Sequence, residues 1–197
     1  MADDSVKYWD MNQEFSRGKF EKALSYKAYM EASPDNKQRW QEVYDRVALT
    51  DDQKALLGGF TRKMNVLCMS GAWCGDCVRQ GPMLQRIAEG SDVIDLRFLD
   101  RDLNPDLRER LRVLGGMRVP VVVFLSEDFF ECDRFGAKTL STYRKMAAEQ
   151  VGIACPTGII PSPENELELG VQDWLDMFER VQLALRLSPM LRQRYND

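Results

Sequence analysis

The sequence predicts an α/β protein: a central mixed sheet flanked by helices, with helical extensions before and after it. Three observations carry this prediction. Residues 64–70 form a short apolar run that passes into Trp73-Cys74-Gly75-Asp76-Cys77, two cysteines at i and i+3 where a helix starts. Residues 93–99 place Val93, Ile94, Leu96, Phe98 and Leu99 in a mostly alternating pattern, as in a strand beside a central one. Val119-Pro120 opens the unbroken apolar stretch 121–125, and residues 129–135 supply its hairpin partner. This order gives a βαβ half followed by a ββα half, with helices on both sheet faces.

The elements follow in chain order. Residues 1–61 read as a helical extension, in which Gly18 interrupts the pattern over 8–32 and residues 25–32 form a short helix. Ser33-Pro34 has the form of an N-cap with proline at the first helical position, and Trp40, Val43, Tyr44 and Val47 follow at helical spacing. Thr50-Asp51-Asp52-Gln53 is a capping box, opening a short helix that Gly58-Gly59 ends. The helix bearing the cysteine pair spans 74–89 with a bend at Pro82. Asn104-Pro105 starts a helix through Leu107, Leu111 and Leu114, stopped by Gly115-Gly116, and residues 139–150 form the last helix of the central part. Pro156, Gly158, Pro161 and Pro163 mark an irregular connector. A final amphipathic helix carries Val171, Trp174, Leu175, Phe178, Val181 and Leu185 on one face. The expected organisation is an extension over 1–61, a core over 62–150 and a connector with C-terminal helix over 151–197, all in one compact domain.

At 197 residues the chain can build one well-buried core or two small ones. A hydrophobic content of 44% and a mean hydropathy of −0.41 suit a globular rather than a membrane class. The longest apolar stretch, 119–125, is far too short to span a bilayer. A formal net charge of −4 offers no basic field for nucleic acid or anionic lipid, so neither is expected as a partner. Arg108, Arg110 and Arg112 are interleaved with Asp106 and Glu109 and read as a solvated helix face. The acidic opening Met1-Ala2-Asp3-Asp4 has neither a basic nor an apolar leader region. Five cysteines without small-scaffold spacing argue against structural disulfides and for a reducing, cytoplasmic location. Zinc needs four ligands, and a chain with no histidine and no second CxxC is not expected to hold a metal.

The spacing of Cys74 and Cys77 brings both sulfurs to the first helical turn, within bridging reach. The free N–H groups and positive dipole end there favour the thiolate, which is the attacking species. The pair therefore reads as a dithiol–disulfide exchange centre, with the more exposed Cys74 as nucleophile and the deeper Cys77 as resolving thiol.

The run 64–70 leading into this motif, Pro82 five residues after Cys77, Val119-Pro120 before a strand and Gly136 before the last helix resemble the thioredoxin superfamily over residues 62–148. The flanks resemble a bacterial group of longer thioredoxin-like proteins with a WCGDC centre. The resemblance implies a thioredoxin fold with a cis peptide at Val119-Pro120 and a protein-disulfide reductase activity without a bound cofactor. It implies disulfide-containing protein substrates and a dithiol electron donor such as a thioredoxin reductase. It further implies that Trp73 covers the site and contacts substrate, and that Val119 and Pro120 offer backbone to an extended substrate segment. Trp73 also reads as a core aromatic. Arg118 either tunes partner charge or is an ordinary surface arginine.

Gly75 and Asp76, between the cysteines, are expected to tune the pair. The best-known thioredoxins have proline where Asp76 stands. Its carboxylate suits a helix start but opposes the Cys74 thiolate, with Arg79 as a partial offset. Asp76 also reads as a proton acceptor for Cys77, or as a helix cap with no redox role. Cys68, six residues before Cys74, stands where the family often has a buried aspartate that moves the proton of the second cysteine. It reads as a small apolar residue of a central strand or as a third thiol able to exchange with Cys77. Cys132 and Cys155 read as inert thiols or a regulatory disulfide. Two other functions fit the sequence: a redox-sensing binding module using the apolar face of residues 171–185, and a peroxide or conjugate reductase using Cys68 or Cys132.

Overall fold

The computed structural model describes residues 11–33, 36–150 and 165–196. The connector containing Cys155, and Pro34, lie outside these residues. The sheet has four strands in the order β2-β1-β3-β4. Strand β1 (Met64–Ser70) pairs in parallel with β2 (Ile94–Asp100) and antiparallel with β3 (Val121–Leu125). Strand β4 (Glu131–Gly136) adds antiparallel to β3 at the edge. Every residue of β1 and β3 is buried, as expected of apolar runs flanked by strands on both sides and covered on both faces. The edge strand β4 instead alternates exposed and half-buried positions over most of its length.

Register assigns the faces. Val66 and Cys68 lie opposite Phe124 and Val122, and Val122 opposite Phe135, so these side chains share one face. Helices α5 (Gly75–Glu89) and α8 (Glu166–Leu187) cover it. Phe178 meets Phe124 edge-on at 5.0 Å and Trp174 meets Phe135 at 5.1 Å. All six residues of the α8 stripe are buried. On the other face, Phe15 of α1 (Gln13–Lys22) and Leu107 of α6 (Pro105–Arg110) close over Leu67 and Val123.

The N-terminal helices α2 (Tyr26–Ala32), α3 (Lys37–Arg46) and α4 (Asp51–Gly58) extend the core rather than hang from it. Ser25 caps α2, and Leu24 exchanges backbone hydrogen bonds with Phe98 at 2.9 and 2.7 Å. The Thr50–Gln53 capping box forms as read, and Gly59 closes α4. Helices α7 (Leu140–Gln150) and α9 (Pro189–Tyr195) complete the described elements.

Three local expectations are corrected. Gly18 does not interrupt α1, because the cost of about 1 kcal/mol for a helical glycine is met by burial of Ser16 and Phe20 around it. Ser33 ends α2 instead of opening α3, which begins at Lys37 after Asn36 in the left-handed region. A residue preceding proline is driven out of the helical region, so the signal at Ser33 is a stop. Helix α6 ends at Arg110, and Leu114 is 90% exposed in a tight turn closed by paired hydrogen bonds between Val113 and Gly116. Helix α9 went unread although Ser188-Pro189 is a true cap, with Ser188 Oγ accepting from Leu191 N.

Candidate redox site

Strand β1 delivers the chain through a short turn to Cys74, the N-cap of α5. Cys74 N donates to Gly71 O at 2.9 Å, and Gly71 N donates to Cys77 Sγ at 3.4 Å, so the turn is tied to the deeper cysteine. Cys74 is half-buried and Cys77 fully buried, both as free thiols. Cys74 Sγ lies 3.7 Å from Val119 O. The Val119–Pro120 peptide is cis, and both residues are buried.

The two thiols are driven apart electrostatically. The Cys77 thiol donates toward Cys74 Sγ, and this contact contributes most to lowering the Cys74 thiol. Partial burial opposes it, while the backbone N–H groups of Cys77 and Asp76 at the helix start add to it. The result is a Cys74 value lowered to about 6. Burial pushes Cys77 far above the ordinary thiol range, helped by its hydrogen bond to Cys74 and by the charge there.

The charge of Asp76 acts to raise Cys74, a smaller effect than those that lower it. That charge is held by two cations. Lys138, in the segment between β4 and α7, forms a close ion pair with it, and Arg79 stands 3.4 Å away. Arg79 also pairs with Glu166, which Lys145 holds at 2.9 Å. Lys138 was not singled out from sequence; its 62-residue separation from Asp76 leaves no local signal.

Trp73 is 48% exposed and is not a core aromatic. The Arg101 guanidinium sits 4.6 Å from its ring centroid, and Arg101 Nη1 donates to Met117 O at 3.1 Å. Gly136 pairs with Val121, and a Cβ on it would stand 2.6 Å from Pro120 O. Gln80 Nε2 fixes the next residue by donating to Ala137 O at 2.9 Å. Gly75 and Arg118 are exposed, and Pro82 is buried within α5.

Cys68 is fully buried, and burial alone pushes its thiol far up. Cys132 is exposed at the far end of β4 from the Val121–Gly136 pair, about 13 Å along the strand. Its close-packed sulfur and the carboxylates of Asp133, Glu131 and Glu127 push it up to about 12. Among the described residues, no group of three or more His, Cys, Asp or Glu side chains is placed to hold a metal ion. No described helix is long and apolar enough to cross a membrane.

Comparison with known proteins agrees with this architecture. A crystal structure of a protein of unknown function from Pseudomonas aeruginosa superposes with a TM-score of 0.62 at 20% identity, covering 82% of this chain and 95% of that one. An HIV epitope-scaffold superposes at 0.63 with 19% identity, covering 83% and 97%. At these identities the likeness shows the fold alone. No curated protein matches the chain. Residues 23–147 match the family model described as Thioredoxin, a span that runs from α2 through the cysteine turn and the cis-proline loop into α7, and the chain belongs to the thioredoxin superfamily.

Proposed function

We propose that the chain is a thiol–disulfide oxidoreductase that reduces disulfides in protein substrates. One observation carries this reading: Cys74 is accessible and lowered to about 6, while Cys77 is buried and held protonated one turn deeper. Such a pair separates attack from resolution. The Cys74 thiolate attacks a substrate disulfide, forms a mixed disulfide and expels the first substrate thiolate. Cys77 then loses its proton, bonds to Cys74 Sγ and expels the second. The substrate gains two electrons and two protons, and the Cys74–Cys77 pair is left as a disulfide. A dithiol donor of the thioredoxin-reductase type restores the reduced state.

Trp73 and the Val119–Pro120 backbone frame the exposed sulfur, which supports docking of an extended substrate segment there. Four free thiols among the described residues suit a reducing compartment such as the cytoplasm. The sensing-module reading draws no support from α8, whose apolar stripe is buried on the sheet. The extra-thiol reading draws none from Cys68 or Cys132, both of which are held protonated.

The test is equilibration of the pair against a dithiol buffer, read by thiol-trapping mass spectrometry with Cys74→Ser as control. The expected result is a reversible two-electron bridge with a potential of about −270 mV. A chain that forms no bridge, or a Cys74→Ser variant with full reductase activity, would refute the proposal.

A further inference from the structure

A chain of alternating charges joins the start of α5 to the start of α8. Asp76 stands in the first turn of α5 and Glu166 in the first turn of α8, each where a carboxylate suits the positive end of a helix. One guanidinium serves both: Arg79 Nη2 stands 3.4 Å from Asp76 Oδ1, while Arg79 Nη1 forms the closer pair with Glu166 Oε1. Lysines close the chain at each end, Lys138 on Asp76 Oδ2 and Lys145 of α7 on Glu166 Oε2 at 2.9 Å. No member is more than 34% exposed, so these pairs are screened less than pairs on an open surface. Lys145 and then Arg79 hold the Glu166 carboxyl below the usual carboxylate range, so its charge persists wherever Cys74 titrates.

We propose that Glu166 is a positioning residue for the thiol pair: it competes with Asp76 for the Arg79 guanidinium and thereby sets the reactivity of Cys74 from the C-terminal helix. The proposal rests on the oxidoreductase reading. Asp76 is two residues from Cys74, in the same turn, and its negative charge opposes the thiolate. Arg79 offsets that charge only as far as its guanidinium faces Asp76, and the Asp76 contact is the longer of its two. Removing the Glu166 charge turns Arg79 fully to Asp76 and favours the thiolate. Removing Lys145 does the reverse, because Glu166 then draws on Arg79 alone. The remaining charged groups around the chain are Arg39, Glu42 and Arg46 of α3, which line one cavity with Gly75, Arg79 and Glu166. Cys77 and, over the Trp73 ring, Arg101 face the Cys74 turn from its other sides.

The test is the pH profile of Cys74 alkylation by iodoacetamide in the reduced full chain, read by peptide mass spectrometry. Glu166→Gln is expected to move the midpoint down by about 0.5 in pH, and Lys145→Met to move it up by about as much. In an Arg79→Met background Glu166→Gln should shift it by less than about 0.2, because the guanidinium linking the two carboxylates is gone. Opposite shifts separate this role from a structural one, since a loosened fold would send both variants up toward the ordinary thiol value. Midpoints unchanged in both variants, or moved in the same direction, overturn the proposal. So does a Glu166→Gln shift that survives in full without Arg79. A wild-type chain that forms no reversible bridge against a dithiol buffer, a readout independent of the midpoints, refutes the oxidoreductase reading and the proposal with it.

Discussion

The indole of Trp40 occupies the space that any side chain at position 81 would need: a Cβ on Gly81 would stand 1.9 Å from Trp40 Cζ3. Trp40 is fully buried, and its Nε1 donates to Ala72 O at 3.2 Å, in the turn that presents Trp73 and Cys74. Helix α3 therefore packs on α5 and anchors the turn that leads into it. Gly81→Ala is expected to destabilise the chain by about 1–3 kcal/mol through overpacking. Trp40→Ala should cost about 3–5 kcal/mol through the cavity it leaves. Denaturant unfolding measures both, and a Gly81→Ala chain as stable as the parent would contradict the packing.

Sequence and structure agree where local chemistry decides the outcome. The apolar runs at β1 and β3 are short, bounded and buried throughout, as central strands are, and the Thr50 capping box is complete within four residues. The candidate site was legible for the same reason, since one turn holds Cys74 and Cys77 and one dipeptide holds Val119 and Pro120. Ser33-Pro34 and Ser188-Pro189 show the limit: the first serine closes a helix and the second opens one. What separates them is the chain before each, because α2, started by Ser25, is still running when it reaches Ser33. Lys138 and Arg101 were illegible because tertiary packing brings them to the site from distant segments.

Gln182 of α8 joins the C-terminal helix to the segment entering β1. Its Oε1 accepts from Arg62 N at 2.8 Å and Thr61 N at 3.3 Å, and its Nε2 donates to Arg62 O at 2.9 Å; the two bonds to Arg62 are buried. Gln182→Leu fills similar volume but removes the partner of three backbone groups. A loss of about 1–3 kcal/mol is expected, since buried donors and acceptors without partners bear the full desolvation cost. The readout is again denaturant unfolding, together with faster hydrogen exchange at the Arg62 amide.

Arg101 braces Trp73 from below while holding Met117 O. Removing the guanidinium should loosen the exposed ring without touching either thiol. Arg101→Met is expected to raise the half-saturating concentration of a protein disulfide substrate by about 2–5-fold, the worth of an exposed cation–π contact. The pH at which Cys74 becomes reactive should stay put. A shift in that pH would mean that Arg101 acts on the sulfur instead.

The pH dependence of Cys74 reports the balance among its neighbours. With the thiol lowered to about 6, its alkylation rate by iodoacetamide should rise with pH through that value and level off above it. Asp76 raises the thiol, so Asp76→Asn should move the midpoint down. Lys138 pairs with Asp76, so Lys138→Met should release that negative charge and move the midpoint up. Stability follows the same titration. The folded value lies below the thiol's ordinary 9.0, so between about 6 and 9 the unfolded chain binds more protons than the folded one. The reduced protein should therefore gain stability as pH climbs through this window and lose it as pH falls through 6, with a shallow slope because the sulfur is half exposed. Cys74→Ser should show none of that slope. A midpoint near 9, or Asp76→Asn and Lys138→Met shifting it in the same direction, would overturn this account of the site's electrostatics.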